Sequence, residues 1–148
     1  MRGGQAEQVD VPGSYGNPAA LRTEVETVRA VYDAFARRDV EGALEHIDAD
    51  VEFVTAGTQS LVGREAPYRG HEGVRQYFAD AAEAWDDLTL HAEDFRAAVD
   101  SVIVFGRVEG SVDGKPFRSK AIWIWRVRDG KAVSMRVNPL GTPLPGET

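Results

Sequence analysis

The chain of 148 residues contains no cysteine. That absence excludes disulfides, thiolate metal sites and cysteine nucleophiles. It is also compatible with a reducing compartment, so we expect a cytoplasmic protein. No apolar run approaches the roughly 20 residues that a membrane-spanning helix needs, and residues 1–17 contain no apolar segment typical of a signal peptide. We therefore expect no membrane association.

Basic residues are fewer than acidic ones. The 17 Lys and Arg stand against 24 Asp and Glu, which gives a formal net charge of −7. Nucleic acid and anionic lipid surfaces repel a protein of this charge, so neither is an expected partner. No His-x-His or His-x-x-x-His spacing occurs, and we expect no bound metal.

The length is typical of one domain with its own core. Residues 1–17 are polar and rich in glycine, without periodicity, and are predicted to form a flexible tail. Residues 141–148 contain two prolines and are predicted to form a second tail. A single domain is expected over residues 18–140.

Apolar residues spaced three and four apart predict a helix from Pro18 to about Arg38. Asp39 is a suitable cap for a short second helix, and the same spacing predicts a third helix over His71–Trp85. Residues 56–70 contain three glycines and a proline and have no period. They are predicted to form a loop, long enough to border a pocket.

Strands are predicted elsewhere. Asp-Gly pairs between long apolar and β-branched runs indicate tight hairpins. The pairs are Asp113-Gly114 and Asp129-Gly130, and the predicted strands are Val51–Thr55, Leu88–Ala98, Val102–Val112, Phe117–Val127 and Ala132–Val137. Helices separated along the chain from antiparallel strands predict an α+β fold.

The last three strands are apolar on both faces. Trp123 and Trp125 lie at one parity, and Ile122 and Ile124 at the other. A sheet with one face in water would alternate more cleanly, so both faces are expected to be covered. Helices can cover one face, and a second copy of the chain is the simplest cover for the other. A homodimer through the sheet is therefore expected.

Four segments in order resemble the nuclear transport factor 2-like superfamily, and its SnoaL-like (polyketide cyclase-like) branch in particular. Val28–Leu44 resembles the opening helix and its elbow, and Asp48–Phe53 the approach to the first strand. Tyr68–Phe78 resembles the start of the third helix, and Arg126–Arg136 the closing hairpin. The resemblance implies a cone-shaped, curved antiparallel sheet wrapped around helices, with a pocket at its wide end. Such folds include several kinds of cofactor-independent enzyme as well as binding modules, so fold does not give function.

Within that resemblance, the ketosteroid isomerases use an Asp base, a Tyr and a protonated acid. The corresponding positions here are Thr55, Val31 and Trp123, and none carries the required group. Tyr32 is one residue away, but a helix step of about 100° turns it elsewhere. Steroid isomerisation is therefore not expected.

The epoxide hydrolases of this fold use an Arg-x-Asp pair, which Arg107 and Glu109 resemble. At period two these side chains share one face, and Arg107 would orient Glu109 as an acid or base. The position of the second carboxylate is Val137, so water activation would lack its base. A structural or solvated ion pair is the alternative interpretation.

Of the three histidines, His91 is the best candidate for a general base if it faces inward, because histidine titrates near neutrality. Its neighbours Glu93 and Asp94 leave an outward, solvated orientation open. His46 is expected to be exposed and His71 to have a capping role. The dehydratase branch uses two histidines and an aspartate, so this chemistry would depend on His91.

An apolar pocket with a few polar points suits a hydrophobic, aromatic or polycyclic small molecule. The expected substrate-binding residues are Tyr32, Phe53, Thr55, Tyr77, Trp123 and Val137. Two functions follow. One is a cofactor-independent lyase, isomerase or hydrolase acting by proton transfer, with Glu109, Arg107 and His91 as catalytic residues. The other is a non-catalytic binding or accessory module.

Overall fold

A computed structural model describes residues 18–99 and 101–140, and both predicted tails lie outside them. The described chain contains four helices and six strands: α1 (Pro18–Ala36), α2 (Val40–Leu44), β1 (Ile47–Thr55), α3 (Ala56–Val62), β2 (Tyr68–Arg69), α4 (Gly70–Ala84), β3 (Asp87–Ala98), β4 (Ser101–Val112), β5 (Lys115–Arg128) and β6 (Lys131–Leu140). This order confirms the predicted α+β class, with the four helices, β1 and β2 in the first part of the chain and a four-stranded meander last.

The predicted loop over residues 56–70 is wrong, because this segment contains α3 and β2. Side-chain hydrogen bonds hold the helix in place. Gln59 Oε1 accepts from the Thr55 backbone amide at 2.7 Å, and Gln59 Nε2 donates to the Ala66 carbonyl at 3.2 Å. Gly63 ends α3 in the left-handed region, at φ 71°. A helix of only seven residues that is held by side-chain hydrogen bonds to its flanking backbone leaves little periodic signal.

The strands form one sheet in the order β2-β1-β6-β5-β4-β3. The meander β3 to β6 is antiparallel as predicted, but β1 pairs with β6 in parallel. Both predicted Asp-Gly turns are present. Asp113 and Gly114 have φ of 52° and 78°, and Asp129 and Gly130 have φ of 54° and 78°. Positive φ at both central residues gives the turn twist that two-residue hairpins require.

Register shifts bend the sheet around the helices. They lie between Ile47 and Glu52, between Ala92 and Asp94, and between Arg126 and Val127. An extra residue in one strand increases the local bend and twist of a sheet. The sheet is therefore strongly curved, and its concave inner face holds α1 and α4.

Burial alternates along β5, where Phe117, Ser119, Ala121, Trp123 and Trp125 are all buried on the inner face. The core forms where this face meets the apolar sides of α1 and α4. Alternating strand residues point to opposite faces, so the residues between them lie on the outer face. Within the described residues, no helix is both long enough and apolar enough to cross a membrane.

Candidate ligand cavity

A cavity lies between the inner face of the sheet and the helices α1, α3 and α4. All three tryptophans of the chain contribute to its wall. The lining residues are Tyr32, Phe35, Thr55, Gly57, Thr58, Tyr77, Trp85, Leu88, Leu90, Val108, Phe117, Ser119, Trp123, Trp125, Met135 and Val137. No Asp, Glu, Lys, Arg or His is among these described residues. The wall is therefore apolar, with hydroxyl and indole N–H groups as its polar points.

The structure brings most of the expected substrate-binding residues to this wall. Tyr32, Thr55, Tyr77, Trp123 and Val137 all line the cavity, and their contact with a substrate stays a prediction.

Phe53 lies behind the wall instead. It is fully buried, with ring centroids 6.2 Å from Tyr77 and 5.8 Å from Trp125, in edge-to-face contact. The aromatic pattern alone could not separate a lining residue from one packed directly behind it. Phe53 therefore supports the wall and does not form part of its surface.

Tyr32 lies among the aromatic residues that line the cavity. The prediction that its position on the helix turns it away from the pocket is therefore wrong. Its ring lies edge-to-face against Trp123 at 5.7 Å and Trp125 at 5.6 Å, whereas Val31 is fully buried in the core. Trp125 Nε1 donates to the Tyr32 hydroxyl at 3.1 Å. Burial raises the pKa of Tyr32 well above its usual range, so the hydroxyl keeps its proton.

A second polar pair lies beside α3. Trp85 Nε1 donates to Thr58 Oγ1 at 3.1 Å, and the Thr58 side chain also hydrogen-bonds to Tyr77. Burial raises the pKa of Tyr77, while Thr58 and the charge of Arg38 act in the opposite direction. Both tyrosines are therefore neutral hydrogen-bonding groups at physiological pH.

The cavity is small, with a volume of about 50 Å³, and it adjoins a larger cavity of about 260 Å³ that shares Phe35, Tyr77, Trp85, Leu88 and Leu90 with it. Arg38, Asp86 and Asp87 also line the adjoining cavity. The Arg38 guanidinium donates to the Leu88 carbonyl at 2.5 Å. Charged groups thus line the adjoining cavity, whereas the cavity between the sheet and the helices has only neutral groups among its described lining residues.

The three expected catalytic residues come together, but they do so outside the cavity. Val108 lines the cavity, so Arg107 and Glu109 on either side of it point to the outer face. His91 is paired with Arg107 across β3 and β4 and shares that face. The expectation that these groups supply the pocket's polar points is therefore wrong. The signal was present in the sequence, since apolar Val108 and charged Arg107 and Glu109 occupy opposite parities.

On the outer face these residues form a charged network. His91 Nε2 lies 2.8 Å from Glu109 Oε1, and the two side chains are 32% and 33% exposed. Arg118 Nε lies 3.1 Å from Glu109 Oε2, and Arg107 Nε lies 3.6 Å from the same oxygen. Arg107 also pairs with Glu93. The hydrogen bond from His91 and the charges of Arg107 and Arg118 lower the pKa of Glu109.

The other two histidines lie away from the cavity. His71 Nε2 lies 2.7 Å from the Ile47 carbonyl, a structural contact between α4 and β1. The His46 carbonyl accepts a hydrogen bond from the Ala132 amide. Among the residues that the structure describes, no group of three or more His, Asp or Glu side chains could hold a metal ion.

A curved sheet around helices, with an apolar cavity between them, defines a class of small α+β domains. The family model described as a SnoaL-like domain matches residues 28–135. Because that match spans well over half of the chain, the protein belongs to the SnoaL-like domain family. No curated protein matches the chain.

Solved structures agree with this assignment. An NTF2-like protein of unknown function from Burkholderia pseudomallei K96243 is 24% identical, with 79% of this chain and 90% of that chain covered and a TM-score of 0.72. TerC, co-crystallised with polyporic acid, is 29% identical, with 79% and 91% covered and a TM-score of 0.72. IdmH from Streptomyces antibioticus, a proposed polyketide cyclase, is 23% identical, with 79% and 91% covered and a TM-score of 0.65. The predicted resemblance to the NTF2-like, SnoaL-like branch is confirmed.

The outer-face network generates a titration prediction. His91→Ala removes the largest cause of the lowered Glu109 pKa, so the pKa of that carboxyl should rise towards its ordinary value. Arg118→Ala should raise it less, because Arg118 is the smallest contributor. Carboxyl carbon NMR between pH 2 and 7 measures both changes.

The lowered pKa of Glu109 also determines how the stability of the folded protein changes with pH. The contribution of Glu109 is present above its unfolded pKa and is lost as the pH falls through its folded pKa. An unchanged Glu109 pKa in the His91→Ala variant would show that the contact does not persist in solution.

Proposed function

We propose that this protein binds a hydrophobic, aromatic small molecule in the cavity. The observation that carries the proposal is the lining itself: three tryptophans and two tyrosines surround a space with no charged side chain among the described residues. Aromatic walls with a few polar groups are typical of sites for apolar ligands. TerC, which has a similar fold, was co-crystallised with polyporic acid, and this supports small-molecule binding by the present chain.

A second candidate function is a cofactor-independent lyase, isomerase or hydrolase acting by proton transfer. The Tyr32 hydroxyl favours it, because a protonated donor held in an apolar cavity can stabilise negative charge that develops on a substrate oxygen. Relatives such as IdmH, a proposed polyketide cyclase, make this the natural enzymatic alternative. If the protein is such an enzyme, the Tyr32 hydroxyl, and not the Glu109 carboxylate, is the group nearest to the reacting atoms of the substrate.

Incubation of the protein with an aromatic probe such as 2-acetylnaphthalene, followed by chromatography of the probe, distinguishes the two functions. Complete recovery of the probe supports a binding module. Conversion that Tyr32→Phe abolishes and Glu109→Gln retains supports an enzyme acting inside the cavity. Conversion that depends on Glu109 would instead support catalysis on the outer face.

Ligand binding should depend on the inner face alone. Val137→Phe adds an aromatic ring to the cavity and should weaken the binding of 2-acetylnaphthalene at least tenfold. The cavity has a volume of only about 50 Å³, so it has little space for both the new ring and the ligand. Quenching of tryptophan fluorescence measures the affinity, because all three tryptophans line the cavity.

Ile124→Phe is the matched control for that experiment. Ile124 is paired with Arg136 and Ile103 on the outer face, so the same ring there should change affinity less than about twofold. Equal losses in the two variants would contradict binding in the cavity. Binding in the cavity would also be contradicted if 2-acetylnaphthalene bound saturably to neither the wild type nor the Ile124→Phe variant.

We also propose that the outer face of the sheet is covered by a second copy of the chain. Phe105 is 38% exposed there, beside the half-buried Ile103, Ile122 and Ile124. Charges of both signs surround this apolar strip, including the Glu109 network, which suits a self-complementary interface.

A reducing, cytoplasmic location remains the expectation for this cysteine-free chain.

Phe105→Glu should convert the dimer to a monomer, because it places a charge at the centre of the apolar strip. The matched control is Val99→Glu, since Val99 is 42% exposed but lies in the turn after β3. Light scattering after gel filtration at micromolar concentration measures the mass. A monomeric wild type, or a dimer that survives Phe105→Glu, would contradict the proposal.

A further inference from the structure

Thr55 has a buried hydroxyl that the described part of the protein does not use. The residue is 3% exposed, and its Oγ1 has no hydrogen-bond partner among the residues that the structure describes. Buried hydroxyls are nearly always paired, since an unpaired one loses its bonds to water without replacement. This hydroxyl therefore has bonding capacity that a molecule in the cavity could use.

The position makes the unused hydroxyl unusual. Thr55 ends β1 and is the N-cap of α3, where a threonine side chain ordinarily accepts from an amide of the first helical turn. Here the side chain makes no such bond. The neighbouring Gln59 is occupied by the Thr55 amide and the Ala66 carbonyl. Thr55 instead lines the cavity, next to its β6 partner Val137.

We infer that the Thr55 hydroxyl recognises a carbonyl oxygen on the aromatic ligand. This inference rests on the proposed binding of such a ligand in the cavity. A hydroxyl without an acceptor has a proton to donate, and a ketone or quinone oxygen is a neutral acceptor that an apolar ring system carries into a dry site.

The charge distribution selects a neutral carbonyl over a carboxylate. No cation lines the described interior, so a carboxylate buried there would lack a counter-charge. Arg38 lines the adjoining cavity, where an acidic group on the same ligand could lie. The ligand class is thus an aromatic ketone or quinone whose neutral carbonyl lies inside the uncharged cavity.

Two probes of nearly equal shape separate this hydrogen bond from hydrophobic binding. 2-Acetylnaphthalene carries a ketone, and 2-isopropenylnaphthalene carries a methylene group in place of its oxygen. The ratio of the two affinities for one protein also reflects the different hydration of the two probes. Comparing this ratio between the wild type and a Thr55 variant cancels the hydration terms and leaves the contribution of the side chain.

Three variants complete the experiment. Thr55→Val keeps the shape of the side chain and removes the hydroxyl, and it should lower the ketone-to-alkene affinity ratio by about tenfold, the effect of one hydrogen bond. Thr55→Ser keeps the hydroxyl and should leave the ratio within about twofold of the wild type. Thr55→Ala provides the same test if Thr55→Val folds poorly.

A measurement without ligand gives an independent readout. Thr55→Val removes an unpaired polar atom from a buried position, so its Tm should be higher than that of the wild type. A Tm that falls while the far-UV circular dichroism stays native would show that the hydroxyl has a partner within the protein and would overturn the inference.

The outcomes also separate this inference from the proposed function. Binding of both probes with an affinity ratio that Thr55→Val leaves unchanged overturns carbonyl recognition, as it would if the hydroxyl holds only a water molecule, and the binding function stands. Binding of neither probe contradicts the binding function and this inference together. A ratio lowered by Thr55→Val and preserved by Thr55→Ser supports both.

Discussion

Side chains on a strand alternate between two faces, and the organisation of this protein depends on how strictly β4 and β5 follow that alternation. Val108, Ser119 and Trp123 line the cavity. The charged residues that flank Val108 are held on the opposite face, where His91 and Arg118 pair with Glu109. Moving a charged residue by one position would bring it into an apolar interior without a partner, which is costly. The alternation therefore separates an apolar site from a charged surface within a single sheet.

The same separation determines what the interior can do. Tyr32 and Tyr77 keep their protons because burial raises the pKa of each. Trp125 and Trp85 donate to hydroxyl oxygens, which orients the Tyr32 and Thr58 hydroxyls. Neutral, oriented donors in a region of low polarity bind neutral acceptors well and cannot replace a carboxylate base. This chemistry agrees with a binding site, or with an enzyme that stabilises charge on substrate oxygen.

Much of the architecture could be predicted from local pattern. The three-four spacing that starts at Pro18 and the positive-φ Asp-Gly turns are signals carried by neighbouring residues. The short α3 escaped prediction because it depends on side-chain hydrogen bonds of Gln59 to the flanking backbone at Thr55 and Ala66, which leave no periodic pattern. The cavity wall was largely predictable from aromatic residues, but the outward direction of Glu109 depended on comparing its parity with that of Val108. The unused Thr55 hydroxyl has no sequence signal, since it depends on a side-chain orientation at a helix N-cap.

The ligand is proposed to occupy the apolar interior and not the charged outer face. Intermolecular NOEs from bound 2-acetylnaphthalene to assigned protein protons distinguish the two locations, because they report which protein protons lie next to the ligand. We expect NOEs from the naphthalene ring to the Tyr32 ring and the Trp123 indole, both of which line the cavity. NOEs to the His91 ring without any to Tyr32 or Trp123 would place the ligand on the outer face and contradict binding in the cavity.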